Sequence, residues 1–113
     1  MDRIIQVVTT CNDKERLEKI GMYLVENRLA ACAQISGPIT STYWWNGEIE
    51  EATEWVCTLK SIAGLYEKVE TAIRELHPYD LPEIIAINVE KTLPAYLDWV
   101  KKETEKPSTG ERV

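Results

Sequence analysis

Several residue types that build common functional sites are scarce in this chain of 113 residues. It contains one histidine, five glycines and no phenylalanine, and its three cysteines are Cys11, Cys32 and Cys57. No CxxC pair is present, which excludes a thioredoxin-like site and a paired-cysteine metal site. An odd, widely spaced set of cysteines also argues against a disulfide framework, so we expect free thiols and a cytoplasmic protein.

Long apolar runs and excess positive charge are missing as well. No run of about 18 apolar residues is present, so no membrane-spanning helix is expected. The apolar start MDRIIQVV is soon followed by the polar residues 12–15, so no signal segment is predicted. Nineteen acidic residues outnumber 13 basic ones, giving a net charge of −6. Because nucleic-acid binding depends on neutralising phosphates, we expect neither nucleic acid nor membrane as a partner.

Hydrophobic periodicity predicts the order β-α-β-β-α-β followed by a short helix. The predicted elements are a strand at 3–9, a helix at 14–28, a strand beginning at Leu29, a hairpin within 39–61, a helix at 62–77, a strand at 84–89 and a helix at 95–103. Asn12 or Asp13 is the expected cap of the first helix and Ser61 that of the second. This order is typical of an α+β ferredoxin-like sandwich with both long helices on one face of the sheet and the other face bare in a monomer. Neither face of the third strand is cleanly polar, so we expect both faces to be covered, which again indicates an oligomer. We predict a single domain at 1–105 and a polar tail at 106–113.

The hairpin is the most specific structural signal. Asn46-Gly47 is typical of a two-residue turn, in which both residues adopt positive φ, and it places Trp44 opposite Ile49. Each arm runs for about a dozen residues, roughly 40 Å, so the tip should project past the core. A projecting ribbon that carries Tyr43, Trp44 and Trp45 is predicted to pack on another subunit.

Common functions of this architecture fit the sequence poorly. The third strand is acidic where an RNA-binding strand would be basic. The first βα loop lacks the glycines of a phosphate-binding loop and offers only Cys11 where a Cu(I) chaperone would have two thiolates. No nucleophile, base and orienting group can be named together, so an enzyme is the least favoured class and we expect none.

The stretch ELHPYDLPE, residues 75–83, holds the only histidine. His77 precedes a proline, which must end the second helix there. Its ring is expected either to cover the last helix carbonyls, where the helix dipole favours imidazolium, or to serve as a ligand or catalyst. Tyr79, Asp80 and Glu83 add oxygen atoms to a loop that two prolines fix.

With these residues in view, the chain resembles the CutA divalent-cation tolerance family. The resemblance spans residues 3–102 and rests on RLAACAQI, YWWNGEIEE, the LK pair at 59–60 and LHPYDLPEI. It implies a ferredoxin-like subunit in a tight homotrimer whose strands join edge to edge. It also implies tolerance of divalent cations, a bound cation such as copper in some members, no organic cofactor and no enzymatic activity.

The resemblance extends to single residues. His77 matches the family's histidine before Pro-Tyr, which is linked to copper in some relatives, but Leu76 stands where some have a second histidine. Cys11 resembles their loop cysteine but is displaced along the alignment, so His77 and Cys11 imply weak metal binding. Cys32 matches a cysteine that we expect to serve packing.

A second group of residues falls on recurring motifs of the family and is a candidate cleft between subunits: Trp45, Lys60, Tyr79 and Glu83. Two functions therefore stay open. One is a trimeric cytoplasmic protein of divalent-cation tolerance that binds copper or similar ions weakly. The other is a signalling or scaffold trimer that binds a small metabolite or a partner protein in its clefts.

Overall fold

A computed structural model describes residues 3–105, and the predicted tail at 106–113 lies outside them. The elements are β1 (Ile4–Cys11), α1 (Lys14–Glu26), β2 (Cys32–Trp45), β3 (Glu48–Ile62), a short 3₁₀ turn (Ala63–Leu65), α2 (Tyr66–Leu76), β4 (Ile84–Asn88) and α3 (Pro94–Glu103). The strands form one antiparallel sheet in the order β2-β3-β1-β4. This confirms the predicted α+β ferredoxin-like βαββαβ fold with a long hairpin and a C-terminal helix.

The two long helices begin in different ways. Asp13 caps α1 as predicted, because its side chain accepts a hydrogen bond from the backbone N–H of Arg16 at 3.0 Å. The prediction that Ser61 caps α2 is wrong. Ser61 is still inside β3, where its buried hydroxyl donates to the carbonyl of Leu29 at 2.6 Å. A 3₁₀ turn precedes α2 in place of a side-chain cap.

The core lies between one face of the sheet and both long helices. Val7 of β1 and Leu59 of β3 are fully buried there, beside Leu17 of α1 and Ile73 of α2. α1 lies so close to the sheet that a Cβ on Gly21 would be 2.9 Å from that of Ala33. Burying these side chains supplies the main driving force for folding.

The second face of the sheet is partly covered by the chain itself, whereas the sequence predicts cover by another subunit. Cys32, Lys60 and Gln6 are cross-strand neighbours and so share this face. The phenol oxygen of Tyr96 on α3 lies 3.9 Å from Cys32 Sγ, and Val100 of the same helix is fully buried. α3 therefore packs on this face.

The hairpin has the predicted register. Trp44 pairs with Ile49, and both turn residues, Asn46 and Gly47, have positive φ. The arms, of 14 and 15 residues, are longer than expected, and a bulge interrupts their pairing between Ser36 and Ile39. The radius of gyration is 15.1 Å, against about 13 Å for a compact domain of this length, because the hairpin projects. Across residues 3–105 no helix is long and apolar enough to cross a membrane.

Candidate functional site

The loop between α2 and β4 begins at His77. Its backbone N–H donates to the carbonyl of Ile73 at 2.8 Å and closes the last helical turn. Its φ and ψ of −78° and 138° are extended, as expected for a residue before proline. The predicted end of the helix at His77 is thus confirmed, with α2 ending at Leu76.

The imidazole of His77 points to β1 and makes no hydrogen bond to the carbonyls at the end of α2. Its Nε2 lies 2.7 Å from the carbonyl oxygen of Thr10, and its Nδ1 accepts from the backbone N–H of Tyr79 at 3.1 Å. A carbonyl can only accept and an amide N–H can only donate, so both bonds require a neutral ring with its proton on Nε2. Burial lowers the pKa of His77 below its ordinary 6.5 and outweighs the opposing effect of the Thr10 carbonyl. The expected preference for imidazolium at the helix end is therefore wrong.

Cys11 lies in the same corner as His77, because it follows Thr10 directly in β1. Its side chain is fully buried, and its Sγ accepts from the backbone N–H of Asp13 at 3.5 Å. Burial raises the pKa of this thiol, although the Asp13 hydrogen bond opposes the shift. Metal binding requires the thiolate, so this environment disfavours Cys11 as a ligand. Within residues 3–105 no group of three histidine, cysteine or acidic side chains is arranged to hold a metal ion.

Tyr79 joins a hydrogen-bonded chain that the sequence did not reveal. Its hydroxyl accepts from the backbone N–H of Asn12 at 2.8 Å and donates to Glu54 Oε2 at 2.7 Å. Glu54 Oε1 accepts from the hydroxyl of Ser41 at 2.6 Å, and Glu54 is only 7% exposed. Burial raises the pKa of Tyr79, and the hydrogen bond to Glu54 adds to the shift. Alternation along β3 separates the residues of its two faces, but nothing in the sequence marks one of its several glutamates as buried.

The other predicted cleft residues are not brought together within one chain. Lys60 lies mid-sheet, where its Nζ donates to Gln34 Oε1 at 3.0 Å. Trp45 is at the hairpin tip, 47% exposed, opposite Glu48. The twelve residues of β3 between that tip and Lys60 span roughly 40 Å. Trp45 could therefore approach Lys60 only from a neighbouring subunit.

Glu83 and Tyr79 lie in the same loop, but Glu83 does not join the hydrogen bonds that Tyr79 makes. Glu83 is exposed just before β4, whereas Tyr79 is half-buried and turned toward Glu54. A surface depression of about 420 Å³ beside this loop is lined by Arg74, His77 and Asp80, among others. Of the residues predicted from sequence, the structure therefore gathers Cys11, His77 and Tyr79 at one corner.

Comparison with known proteins agrees with this architecture. Residues 5–103 match the family described as "CutA1 divalent ion tolerance protein". The chain is 43% identical over 103 residues to the divalent-cation tolerance protein CutA of Pyrococcus horikoshii, covering 91% of this chain and 100% of that protein. It is 39% identical over 101 residues to protein CutA of Mus musculus, covering 89% of this chain but only 57% of the mouse protein.

A solved structure shows the same fold. The crystal structure of divalent ion tolerance protein CutA1 from Ehrlichia chaffeensis matches with a TM-score of 0.88 at 36% identity, covering 94% of this chain and 99% of the other. The family match over residues 5–103 includes the His77 loop and all of the sheet except its first residue, Ile4. The fold and the match together define the class as ferredoxin-like divalent ion tolerance proteins. The chain belongs to the CutA1 divalent ion tolerance family.

Proposed function

We propose that this protein acts as a cytoplasmic homotrimer in the tolerance of divalent metal cations, and that it binds copper or similar ions weakly and has no enzymatic activity. The apolar surface of the projecting hairpin carries the proposal of an oligomer. Trp44 is 72% exposed, its cross-strand partner Ile49 is 63% exposed, and Trp45 is 47% exposed. Soluble monomers rarely expose a contiguous apolar patch of this kind, because covering it is favourable.

The edges of the sheet are suited to head-to-tail pairing of subunits in a closed ring. In the order β2-β3-β1-β4 the outer edges belong to β2 and β4, two different strands. β4 reads IIAIN and has no charged residue or proline to block pairing, and its Ile85 and Ile87 are 46% and 50% exposed. Pairing β2 of one subunit with β4 of the next is a heterologous contact, which closes when the rotation per subunit is one third of a turn.

His77 supports weak binding of a cation. A metal-ligating histidine commonly donates its second ring N–H to a carbonyl, as His77 Nε2 does to Thr10. A cation would be coordinated by the other ring nitrogen, Nδ1, through its lone pair. It already accepts from the amide of Tyr79, so a cation must displace that bond, and the resulting competition reduces affinity. The depression lined by Arg74, His77 and Asp80 offers access from solvent.

Calorimetric titration with Cu(II) tests this proposal directly. Wild type, His77→Gln and Glu70→Gln should be compared at one pH. Glu70→Gln is the matched control, because it removes a carboxylate from α2 away from the loop. We expect weak binding to wild type and the control, and a loss of at least about tenfold in affinity for His77→Gln. Identical isotherms for all three proteins would remove His77 from the proposal.

Lys60 favours a second candidate function, a trimer that binds an anionic metabolite between subunits. Lys60 is half-buried, and its ammonium bonds to a neutral amide, with no ion-pair partner within residues 3–105. An ammonium whose one hydrogen-bond partner is a neutral amide is available to pair with an anion contributed by a ligand. Thermal denaturation of wild type and Lys60→Gln with a panel of anionic metabolites tests this. A ligand that raises the Tm of wild type alone supports it, and a panel without effect rejects it.

The cytoplasmic location rests on cysteine chemistry. Cys11, Cys32 and Cys57 are all unpaired thiols in the fold. Such thiols persist in reducing compartments, whereas oxidising ones favour disulfides. Fractionation of cells that express the chain with its native start should leave it in the cytosolic fraction.

A further inference from the structure

The outer part of the β2–β3 hairpin, residues 39–54, has little support from the rest of the sheet. β1 ends at Cys11, which pairs with Trp55 of β3. Beyond Trp55 the two arms of the hairpin pair only with each other. Without a further contact, this ribbon would be free to swing about its base.

The base of the hairpin is also where strand pairing is irregular. The bulge lies between Ser36 and Ile39, and Gly37 has a φ of +133° that side chains rarely adopt. A Cβ on Gly37 would lie 2.8 Å from Trp55 Cδ1. Bulges bend a strand and increase its twist, so the direction of the outer hairpin depends on what fixes it just past this point.

Tyr79 supplies that fixing contact. Its hydroxyl donates to Glu54, the first residue of β3 beyond the reach of β1. The same carboxylate accepts from Ser41 of the opposite arm, so one side chain ties both arms to the loop. Across residues 3–105 this is the one hydrogen bond from a side chain that joins the outer hairpin to the rest of the molecule. Two short bonds to a buried carboxylate are among the stronger hydrogen bonds in proteins.

We infer that the Tyr79–Glu54 hydrogen bond is a brace that sets the direction of the outer hairpin and thereby controls assembly of the subunits. The inference rests on the proposed trimer, because the direction of the hairpin can affect assembly only if the hairpin contacts another subunit. Because Tyr79 belongs to the loop that begins at His77, the position of that loop also affects the position of the hairpin surface that contacts the neighbouring subunit. A change in that loop that moves Tyr79 releases the hairpin.

Tyr79→Phe tests the brace, because it removes one oxygen atom and keeps the ring. Tyr66→Phe is the matched control, since it removes the same hydroxyl from a tyrosine at the start of α2, which follows the end of β3 opposite the hairpin turn. Hydrogen exchange of the amides in residues 39–54 reports the brace, and sedimentation equilibrium reports assembly. We expect Tyr79→Phe to speed exchange at least fivefold and to weaken assembly at least tenfold, with no effect of Tyr66→Phe on either.

Glu54→Gln provides a second variant, because it retains one acceptor and should change both quantities in the same direction. Unchanged exchange in both Tyr79→Phe and Glu54→Gln would overturn the brace. Faster exchange with unchanged assembly would overturn the control of assembly. If wild type itself sediments as a monomer, the proposed trimer fails, and with it the control of assembly, while the exchange measurement still decides whether the brace exists.

Discussion

The backbone N–H of Tyr79 donates to the ring Nδ1 of His77 at 3.1 Å, and the two rings lie edge to face with centroids 4.7 Å apart. This contact fixes the first turn of the α2–β4 loop against the end of β1. It also holds the imidazole in its neutral form. The histidine is thus part of the fold as well as the best candidate contact for a cation.

Stability should fall in mildly acidic solution because of His77. Its pKa in the folded protein is lowered from 6.5, so below pH 6.5 the unfolded chain binds more protons than the folded one. The stabilisation is fully present above pH 6.5 and is lost as pH falls toward the lowered value. The slope cannot exceed about 1.4 kcal/mol per pH unit, because one proton is involved. Urea unfolding between pH 7.5 and 5.5 measures it.

His77→Gln is the control for that pH dependence. The chain has no other histidine, so the variant retains no imidazole. Its free energy of unfolding should vary less with pH over this range than that of wild type. Parallel curves for the two proteins would contradict the assigned neutral state.

Cys11 and Cys57 should resist thiol reagents in the folded protein. Both side chains are fully buried, and burial raises the pKa of Cys57 to about 12. At pH 8 only on the order of one Cys57 in 10⁴ would be a thiolate. Mass spectrometry after alkylation should find both residues unmodified in the native state and all three cysteines modified in denaturant. Rapid native modification of Cys11 would show that its corner opens readily.

Gly37→Ala should destabilise the protein more than Gly47→Ala. Both positions have positive φ, which alone costs roughly 1 to 2 kcal/mol for a residue with a Cβ. A Cβ on Gly47 meets open space, whereas one on Gly37 collides with Trp55. Chemical denaturation of the two variants at equal concentration gives the comparison. Equal losses in the free energy of unfolding would show that the base of the hairpin can rearrange to accommodate the added methyl group.

Assembly should depend on the pair formed by Trp44 and Ile49. In the double variant Trp44→Lys, Ile49→Glu, opposite charges replace the apolar pair, so the hairpin itself still forms. We expect subunit affinity to fall at least about thirtyfold, ~2 kcal/mol, because exposed tryptophans often dominate interfaces. Sedimentation equilibrium measures it. Met22→Lys, at a 60% exposed site on α1, is the control and should leave assembly unchanged.

Local patterns in the sequence predicted the fold well. Asn46-Gly47 fixed the register of the hairpin through turn geometry, and the proline after His77 fixed the end of α2. Ser61 was misassigned because a serine before a helical pattern also fits the end of a strand, and its bond to Leu29 depends on contacts distant in sequence. The sequence does predict a covered second face, but it does not show that α3 supplies part of that cover, because this too depends on contacts distant in sequence.

The candidate site was only partly predictable. His77 and Tyr79 were named from a motif in one short loop, and the structure places them in contact. Glu54 was not named, since its burial depends on Tyr79 and Ser41, which are 25 and 13 residues away. The grouping of Trp45 with Lys60 depends on a second subunit, which the pattern of one chain does not describe.

Native mass spectrometry of the protein purified without chelators or an affinity tag decides whether the chain assembles as proposed. We expect a trimer of about 39 kDa, three times the 13.0 kDa chain, that takes up Cu(II) weakly when the ion is added. A 13.0 kDa monomer at micromolar concentration would rule out the proposed trimer, because the apolar surface of the hairpin would then be exposed to water.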